Sequence, residues 1–308
     1  MIQQFIDILY RHPMSELKRR ARFGGLLSYG QMMANRRSME KASGRLPAVI
    51  SRPAGLPVHF LTGKKYLYQT LFCISSLHRF SGDQFRFILV DDGTFDEHMI
   101  RQIEKQLPGA AIFLQADIEQ RLDLLLPAAN YPVLRHKRMV YPHIKKLTDI
   151  HTLPGADWKL VLDSDMLFFD DPVELTNWLR EPSAPLYMTD CTESYGYSTI
   201  LMEKLAGARI PSLLNVGAIG LQGSSINWEK LEHWIRVLEE KEGSTYYLEQ
   251  ALSAMLTAGS TAAVLPAEKY IVNPGSQLVS AGSGVLHHYV DLSKKGYYNS
   301  AWRQFSNG

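Results

Sequence analysis

Short apolar strands alternate with amphipathic helices between residues 56 and 162, and this alternation most limits the fold. The predicted strands lie at residues 58–61, 85–90, 111–114 and 160–162. The predicted helices between them lie at 66–80, 96–107 and 117–126. Consecutive strands separated by helices pair in parallel, because each helix returns the chain to the same end of the sheet. The sequence therefore predicts an α/β fold with a mostly parallel, Rossmann-like sheet covered by helices.

The alternation is less regular after residue 165. The predicted strands of this half lie at residues 186–189, 216–221, 262–265 and 285–289, and the predicted helices at 229–242 and 246–258. We expect these strands to extend one edge of the same sheet, so that residues 56–308 form one domain. Two helix starts are also predicted. Thr94 and Glu97 have the spacing of a capping box, and Asp171 before Pro172 is typical of an N-cap.

Residues 1–55 are predicted to form a basic, helical N-terminal extension, with apolar residues at helical spacing in segment 1–10. Its basic residues are Lys18, Arg19, Arg20, Arg22, Arg36, Arg37, Lys41 and Arg45. Such a surface could contact anionic lipid or a partner. It could also be the solvated face of an appendage that packs on the main domain. Gly24, Gly25 and Gly30 are expected to interrupt a long amphipathic helix, which favours the appendage.

Composition excludes several classes of protein. A net charge of +2 gives no bulk attraction to nucleic acid. Cys73 and Cys191 have neither zinc-binding spacing nor a disulfide framework, which indicates a reduced, intracellular setting. No run of 18 apolar residues predicts a membrane span, and polar residues break the apolar pattern of the first eleven positions, so we expect no signal peptide. We expect a cytoplasmic protein, whose basic N-terminus would allow peripheral contact with the inner face of a membrane.

The strand at 160–162 runs directly into two carboxylates, Asp163 and Asp165, with Ser164 between them. Ligands of open α/β sheets bind just beyond the carboxyl ends of the strands. Carboxylate oxygens are suitable ligands for Mg²⁺ or Mn²⁺, and a bound cation could hold a diphosphate. The alternative is an ordinary strand end with solvated aspartates. The apolar residues on both sides of the pair favour the metal site.

Polar residues also follow the other parallel strands. Thr62 and Gly63 end the first strand, and Asp91 and Asp92 end the second. These ends lie at one edge of a parallel sheet, so their side chains could converge on a nucleotide. An aspartate at the second strand could accept a hydrogen bond from a base N–H or a ribose hydroxyl. It could equally turn the chain into the next helix.

A basic segment, residues 135–146, precedes the metal candidate. One or two of its basic residues could face a diphosphate: Arg135, His136, Lys137, Arg138, His143, Lys145 and Lys146. A solvated helix face explains most of its charges equally well.

In their order and spacing, these motifs resemble the GT-A glycosyltransferases, most closely the family 8 enzymes that use nucleotide sugars. The resemblance covers about residues 57–298. It rests on Thr62-Gly63, Val90-Asp91-Asp92-Gly93, Leu162-Asp163-Ser164-Asp165, Leu214-Asn215-Val216-Gly217, Leu248-Glu249-Gln250, and His288-Tyr289 followed by Lys294. It implies a GT-A fold and transfer of a sugar, with retention, from a UDP-sugar. A glycan, a lipid-linked molecule or a protein could each be the acceptor.

The resemblance also implies roles for single residues. Asp163, Asp165 and His288 would be metal ligands for Mn²⁺ or Mg²⁺, with His287 as a neighbouring alternative. Lys294 would bind the diphosphate, or Lys295 could do so. Family enzymes continue Lys-Pro-Trp here, whereas this chain has Lys-Lys-Gly-Tyr. Together, the strand ends, the basic segment and the resemblance give these predicted donor-binding residues: Thr62, Gly63, Asp91, Asp92, Arg138, Lys146, Ser164, Asn215, Gly217 and Lys294.

Three residues are implied to act at the sugar itself. Gln250 would lie beside the anomeric carbon, and Glu249 would hold sugar hydroxyls. Without the resemblance, both would be interpreted as solvated positions on a helix. Asp190 would contact the sugar, or would be the base of an inverting mechanism.

Three other functions compete with this interpretation. An inverting GT-A enzyme would use Asp190 or Glu193 as general base. A sugar nucleotidyltransferase is disfavoured, because only Gly63-Lys64-Lys65 approaches a phosphate-binding loop. A non-catalytic nucleotide-sugar binding or scaffold protein would explain the altered Lys-Lys-Gly-Tyr sequence and the N-terminal extension.

Overall fold

The computed structural model describes residues 20–306, which build a central seven-stranded sheet. Its strands are β1 (Leu56–Thr62), β2 (Phe85–Asp91), β3 (Ala111–Phe113), β4 (Trp158–Leu162), β6 (Leu186–Thr189), β7 (Leu214–Gln222) and β8 (Ala263–Leu265). They are ordered β3-β2-β1-β4-β7-β6-β8. All neighbouring pairs are parallel except those that involve β7, which runs antiparallel to both β4 and β6. The mostly parallel α/β sheet predicted from the sequence is confirmed.

The reversed direction of β7 matters for the site. The amino end of this strand lies at the edge where the parallel strands have their carboxyl ends. The Asp163 amide accordingly donates to the Gly217 carbonyl oxygen at 2.7 Å, just beyond the last β4–β7 pair. Residues at the start of β7 therefore face the same edge as residues that follow β4.

A second, three-stranded sheet was not predicted. It consists of β5 (Met166–Phe168), β9 (Tyr270–Val272) and β10 (Leu286–His288), ordered β5-β10-β9. The expectation that the later strands extend one sheet is therefore wrong for β10, predicted at 285–289, whereas β5 and β9 were not predicted as strands. The chain leaves β4, crosses Asp163–Asp165 and immediately enters β5 of the other sheet. Strands of three residues carry too little periodicity to indicate which sheet they join.

Twelve α-helices are described, together with short 3₁₀ turns. They are α1 (Gly25–Ser43), α2 (Leu67–Phe80), α3 (Glu97–Gln106), α4 (Gln115–Leu125), α5 (Pro132–Val140), α6 (Lys145–His151), α7 (Val173–Arg180), α8 (Thr199–Ala206), α9 (Trp228–Glu242), α10 (Leu248–Thr257), α11 (Ser276–Ala281) and α12 (Lys294–Asn299). Helices α5, α6, α8, α11 and α12 had no counterpart in the sequence prediction. No helix within residues 20–306 combines the length and apolar composition needed to cross a bilayer.

Both predicted helix starts need correction. Asp96, not Thr94, caps α3, and its side chain accepts a hydrogen bond from the Met99 amide at 2.9 Å. The Thr94 hydroxyl instead accepts from the Lys64 amide. Helix α7 has Pro172 as its N-cap and no side-chain cap, so it starts one residue later than predicted.

Helix α1 continues through Gly30, so the expectation that this glycine interrupts a helix is wrong. Gly24, the N-cap, and Gly25, the first residue of α1, both have positive φ and turn the chain at the start of the helix. Met32 and Met39 of α1 are buried in the core under one face of the central sheet. This burial holds a weakly amphipathic, glycine-containing helix in place. The predicted helical segment 1–10, Lys18 and Arg19 lie outside the described residues.

Alternate residues of the central strands enter two separate cores. On β2, Phe87 and Leu89 pack on the side of α1 and α2, whereas Ile88 and Val90 pack on the other side. Burying a side chain of this size contributes roughly 1.5–3 kcal/mol. The sheet is therefore covered on both faces, as parallel sheets require.

Candidate functional site

Two carboxylates and an imidazole meet where the central sheet gives way to the small sheet. Asp163 and Asp165 lie on the link between β4 and β5, and His288 ends β10. The His288 Nε2 atom lies 3.5 Å from an Asp163 oxygen and 3.4 Å from an Asp165 oxygen. Each of these three residues offers one ligand atom, and the three ligand atoms all lie within 4.8 Å of one another.

Backbone hydrogen bonds fix this link. The Tyr289 amide donates to the Asp165 carbonyl oxygen at 2.9 Å, which joins the aspartate pair to the end of β10. Gly217 makes room for the imidazole, because a Cβ at this position would lie 2.3 Å from His288 Nδ1. The glycine of the Asn-x-Gly sequence at the start of β7 is therefore a steric requirement of the site.

The residues fit a divalent cation. His288 Nε2 is buried and has no hydrogen-bond partner within residues 20–306. Its other nitrogen, Nδ1, lies 3.1 Å from Asn215 Oδ1, an arrangement in which Nδ1–H donates and Nε2 keeps its lone pair. Adjacent ligands of an octahedral Mg²⁺ are separated by about 3 Å. The two distances from His288 Nε2 to the carboxylate oxygens, 3.5 and 3.4 Å, exceed this separation by only a few tenths of an ångström.

Two lysines compensate the negative charge of the cluster. Lys294 Nζ lies 3.1 Å from an Asp165 oxygen. Burial opposes ionisation of Asp165, but the nearby Lys294 ammonium group outweighs it and lowers the pKa of this carboxyl group. The Asp165 carboxylate in turn raises the pKa of the Lys294 ammonium group. Both groups are therefore charged near neutral pH.

The other lysine, Lys146, lies between two carboxylates. Its Nζ atom lies 2.9 Å from an Asp163 oxygen and 3.3 Å from a Glu249 oxygen. Burial lowers the pKa of Lys146, but Asp163 and Glu249 raise it by more. Burial is also the main reason why the pKa of Glu249 is raised to about 7, against the opposing effect of Lys146. Lys146 thus positions a candidate metal ligand and a candidate sugar-binding group together.

The sequence did not decide which residue of two adjacent pairs, His287 and His288 or Lys294 and Lys295, faces the metal candidate, and the structure shows which one does. His287 points to the opposite face of β10, where its nitrogens lie 2.6 Å from the Ser283 carbonyl oxygen and 3.1 Å from the Tyr289 hydroxyl. Lys295 is exposed, whereas Lys294 faces Asp165. His288 and Lys294 are therefore the members of each pair that face the cluster.

A group of polar side chains lies next to the cluster. Asp190 Oδ2 accepts hydrogen bonds from the side-chain amides of Asn215 at 2.9 Å and Gln250 at 3.2 Å. Glu249 and Gln250 are only 4% and 8% exposed, so their interpretation as solvated positions is wrong. Asn215 links this group to the cluster, because its Oδ1 faces His288.

The aspartates after β2 have different surroundings. Asp91 is buried and accepts hydrogen bonds from the amides of residues 93, 94, 95 and 115, so its side chain anchors the loop. The Asp92 side chain lies over Gly63, where a Cβ would come within 2.0 Å of its oxygen. Lys145 Nζ donates to the Asp92 carbonyl oxygen at 2.6 Å. Asp92 is the more accessible of the two to a ligand.

Three of the predicted donor-binding residues are not gathered around the cluster by their side chains. Thr62 and Ser164 both contact the Thr70 hydroxyl, at 2.8 and 2.9 Å, in a buried chain that ties α2 to the ends of β1 and β4. Thr70 was missed, because nothing in its local sequence distinguishes it. Arg138 forms a bidentate pair with buried Asp149, at 2.6 and 2.9 Å, and also contacts Glu119. It therefore joins α4, α5 and α6.

Solved glycosyltransferase structures share this fold. The bifunctional glycosyltransferase WbbM matches with a TM-score of 0.52 and 12% identity over 83% of this chain, which corresponds to 52% of WbbM, about half its length. The galactosyltransferase LgtC, solved with donor and acceptor sugar analogues, matches with a TM-score of 0.53 and 13% identity over 81% of this chain and 95% of its own. Mouse xyloside xylosyltransferase 1 matches with a TM-score of 0.50 and 14% identity, over 78% and 97%. No protein-family model and no curated protein sequence matches the chain. The similarities show a GT-A-type fold.

Proposed function

We propose that this chain is a metal-dependent glycosyltransferase that moves a sugar, with retention, from a UDP-sugar to a glycan, lipid-linked or protein acceptor. The observation that carries the proposal is the convergence of Asp163, Asp165, His288 and Lys294 at the carboxyl edge of a sheet whose fold is found in glycosyltransferases. The resemblance of the motifs to family 8 enzymes supports the choice of UDP and of retention.

The proposed metal ligands are Asp163, Asp165 and His288. Carboxylate oxygens and an imidazole nitrogen suit Mn²⁺ and, less closely, Mg²⁺. A cation bound there would supply positive charge to the diphosphate of the donor. Asn215 supports this role, because its contact with His288 Nδ1 orients the ring.

Lys294 is the proposed partner of the leaving group. Breaking the bond between the sugar C1 atom and the diphosphate oxygen leaves negative charge on the diphosphate. A charged amine held beside the metal ligands stabilises that charge as it develops. Lys294 is kept charged by Asp165 and retains partial exposure, so it can reach a ligand at the mouth of the site.

Asp190, Asn215 and Gln250 are the proposed sugar-binding group, together with Glu249. Asp190 Oδ1 accepts from the Cys191 amide, and its Oδ2 accepts from Asn215 and Gln250. A carboxylate whose oxygens are both engaged in this way is poorly placed to remove a proton from an acceptor. This arrangement favours retention over an inverting mechanism with Asp190 as base.

The proposal is tested by measuring release of free UDP from a panel of UDP-sugars, with Mn²⁺ and with EDTA. We expect metal-dependent hydrolysis of one donor even without an acceptor. Asp165→Asn, which removes a ligand charge and keeps the side-chain shape, should abolish it in a folded protein.

Two further measurements separate the alternatives. If no donor is cleaved, isothermal titration with UDP shows whether the chain binds the nucleotide. Binding of UDP without transfer to any acceptor tested would indicate a scaffold protein. Absence of UDP binding would refute the proposal. Once an acceptor is found, the anomeric configuration of the product is read by NMR. An inverted product would contradict retention.

A further inference from the structure

A cleft of about 850 Å³ lies between α1 and α3, and no residue of the candidate catalytic site lines it. Buried Leu67, Tyr68 and Met99 contribute to its lining. Cavities of this volume hold molecules the size of a cofactor or a lipid headgroup. The proposed transfer reaction gives this α1–α3 cleft no role.

The rim of the α1–α3 cleft is positively charged. Its lysines and arginines are Arg37, Lys41, Lys64, Arg101 and Lys105, against the two carboxylates of Glu40 and Asp96. Lys64 lies 3.8 Å from Asp96, and Arg101 pairs with Glu97 at 3.2 Å. Arg37, Lys41 and Lys105 form no salt bridge with any residue between 20 and 306. Both walls of the cleft therefore present cations that have no counterion among residues 20–306, which favours an anionic occupant.

Exposed leucines lie on the same side of α1 as these cations. Leu26 is 62% exposed and Leu27 is 91% exposed. At about 100° per residue, Leu26, Leu27, Arg37 and Lys41 fall within an arc of about 100° around the helix, and at 1.5 Å per residue the leucines lie about 15–22 Å along the axis from the two cations. Apolar side chains next to lysines and arginines are typical of surfaces that enter the headgroup region of a membrane. A soluble polyanion would engage the cations but would leave both leucines in water.

We propose that the α1–α3 cleft docks this protein on a membrane surface that contains anionic phospholipids. A lipid phosphate is held by the cations of the cleft, chiefly Arg37, Lys41 and Lys105, while Leu26 and Leu27 insert into the same membrane surface about 15–22 Å away along α1. The docking does not depend on the proposed transferase activity, because the residues of the cleft and those of the donor site are different.

The test is co-sedimentation of the full chain with vesicles of phosphatidylcholine, with and without added phosphatidylglycerol. The test variant is Arg37→Glu/Lys41→Glu. The matched control is Lys230→Glu/Arg236→Glu, which makes the same change in net charge at exposed positions of α9. We expect binding only to vesicles with phosphatidylglycerol, at least about tenfold weaker for the test variant and nearly unchanged for the control.

Two further variants keep the test decisive. Lys105→Glu alters the other wall of the cleft and should also weaken binding, and Leu26→Ser/Leu27→Ser should weaken it without changing its salt dependence. Thermal unfolding verifies that each variant is folded. Equal binding by the test and control variants would overturn the proposal. So would absence of wild-type binding to the anionic vesicles at low salt, or binding of inorganic polyphosphate without binding of vesicles.

Discussion

Gly217 shows how one missing side chain creates the site, because His288 occupies the space that a Cβ would take. We predict that Gly217→Ala displaces the imidazole and breaks its contact with Asn215. Changes to groups that orient a metal ligand typically weaken metal binding by about 10–100-fold. The measurement is a titration with Mn²⁺ in which free Mn²⁺ is followed by electron paramagnetic resonance.

The control for this substitution is Gly30→Ala. A Cβ at Gly30 meets no atom within 4 Å, and the residue lies on α1, away from the cluster. Gly30→Ala should bind Mn²⁺ as the wild type does. Wild-type affinity in a folded Gly217→Ala protein would show that His288 is not a metal ligand.

Lys294 and Lys295 are adjacent residues with different surroundings, and they provide a second test. Lys294→Met should weaken UDP binding by about tenfold or more, because a charge-assisted contact contributes roughly 1.5–3 kcal/mol. Lys295→Met removes the same charge at an exposed position and should change the affinity by less than about twofold. Isothermal titration in the presence of Mn²⁺ measures both. Equal losses would mean that only net charge matters there.

Helix α1 offers a matched pair of glycines that differ in backbone conformation but not in available space. A Cβ at either Gly25 or Gly30 meets no atom within 4 Å. Gly25 has φ +89°, whereas Gly30 lies in the helix interior. We predict that Gly30→Ala raises the free energy of unfolding by about 0.5–1 kcal/mol, and that Gly25→Ala lowers it by about 1–2 kcal/mol. Urea unfolding measures both. The opposite signs would show that α1 does not form as described.

Helix α6 and β1 carry histidines that are kept neutral by burial. Burial lowers the pKa of His151 to about 3, with Lys159 and His59 acting in the same direction and Asp157 weakly against them. Both ring nitrogens of His151 lack a hydrogen-bond partner within the described residues. In the unfolded chain this histidine takes up a proton near pH 6.5. Above that pH, protonation of His151 therefore takes nothing from the free energy of unfolding. Below it, stability is lost as the pH falls toward 3, by up to about 1.4 kcal/mol per pH unit.

We therefore predict that His151→Leu reduces the stability lost between pH 7.5 and pH 5 by about 1–2 kcal/mol, while stability at pH 7.5 is maintained or increased. Urea unfolding at the two pH values provides the measurement. His136→Asn, at an exposed position, is the control and should leave the loss as it is in the wild type. An unchanged loss in His151→Leu would show that His151 is solvated.

The helices and strands also show what a sequence can and cannot predict here. Strands β1, β2 and β4 were found from continuous apolar runs, and the polar residues after them lie at one edge because parallel strands end there. Asp91 was assigned to the donor, yet its oxygens are engaged by four backbone amides. Glu249 and Gln250 gave no local sign of burial. Helix α10 is enclosed by other elements, and only the assembled fold determines that.

The site belongs to the assembly of two sheets and not to either one. Asp163 and Asp165 follow a strand of the central sheet, whereas His288 belongs to the small sheet, whose partner strand β5 starts at Met166. The order of motifs along the sequence predicted the composition of this cluster through the family resemblance. It did not predict the small sheet that brings His288 to the aspartates, because the pairing of β5 with β10 joins residues more than a hundred positions apart. A cation bound by all three would link the two sheets.

This linkage gives a prediction for the stability of the molecule as a unit. A ligand that binds only the folded state stabilises it by about 2.7 kcal/mol at a concentration one hundred times its Kd. In a chain of this size, that corresponds to a rise in Tm of several degrees. We expect Mn²⁺ to raise the Tm of the wild type by this amount, EDTA to reverse the rise, and Asp165→Asn and His288→Ala each to abolish it. His287→Ala, next to the cluster on the opposite face of β10, should lower Tm but keep the shift. Calorimetry with and without Mn²⁺ measures each shift. A shift that survives Asp165→Asn would place the metal outside this cluster, because no cation held by the remaining pair should retain full affinity.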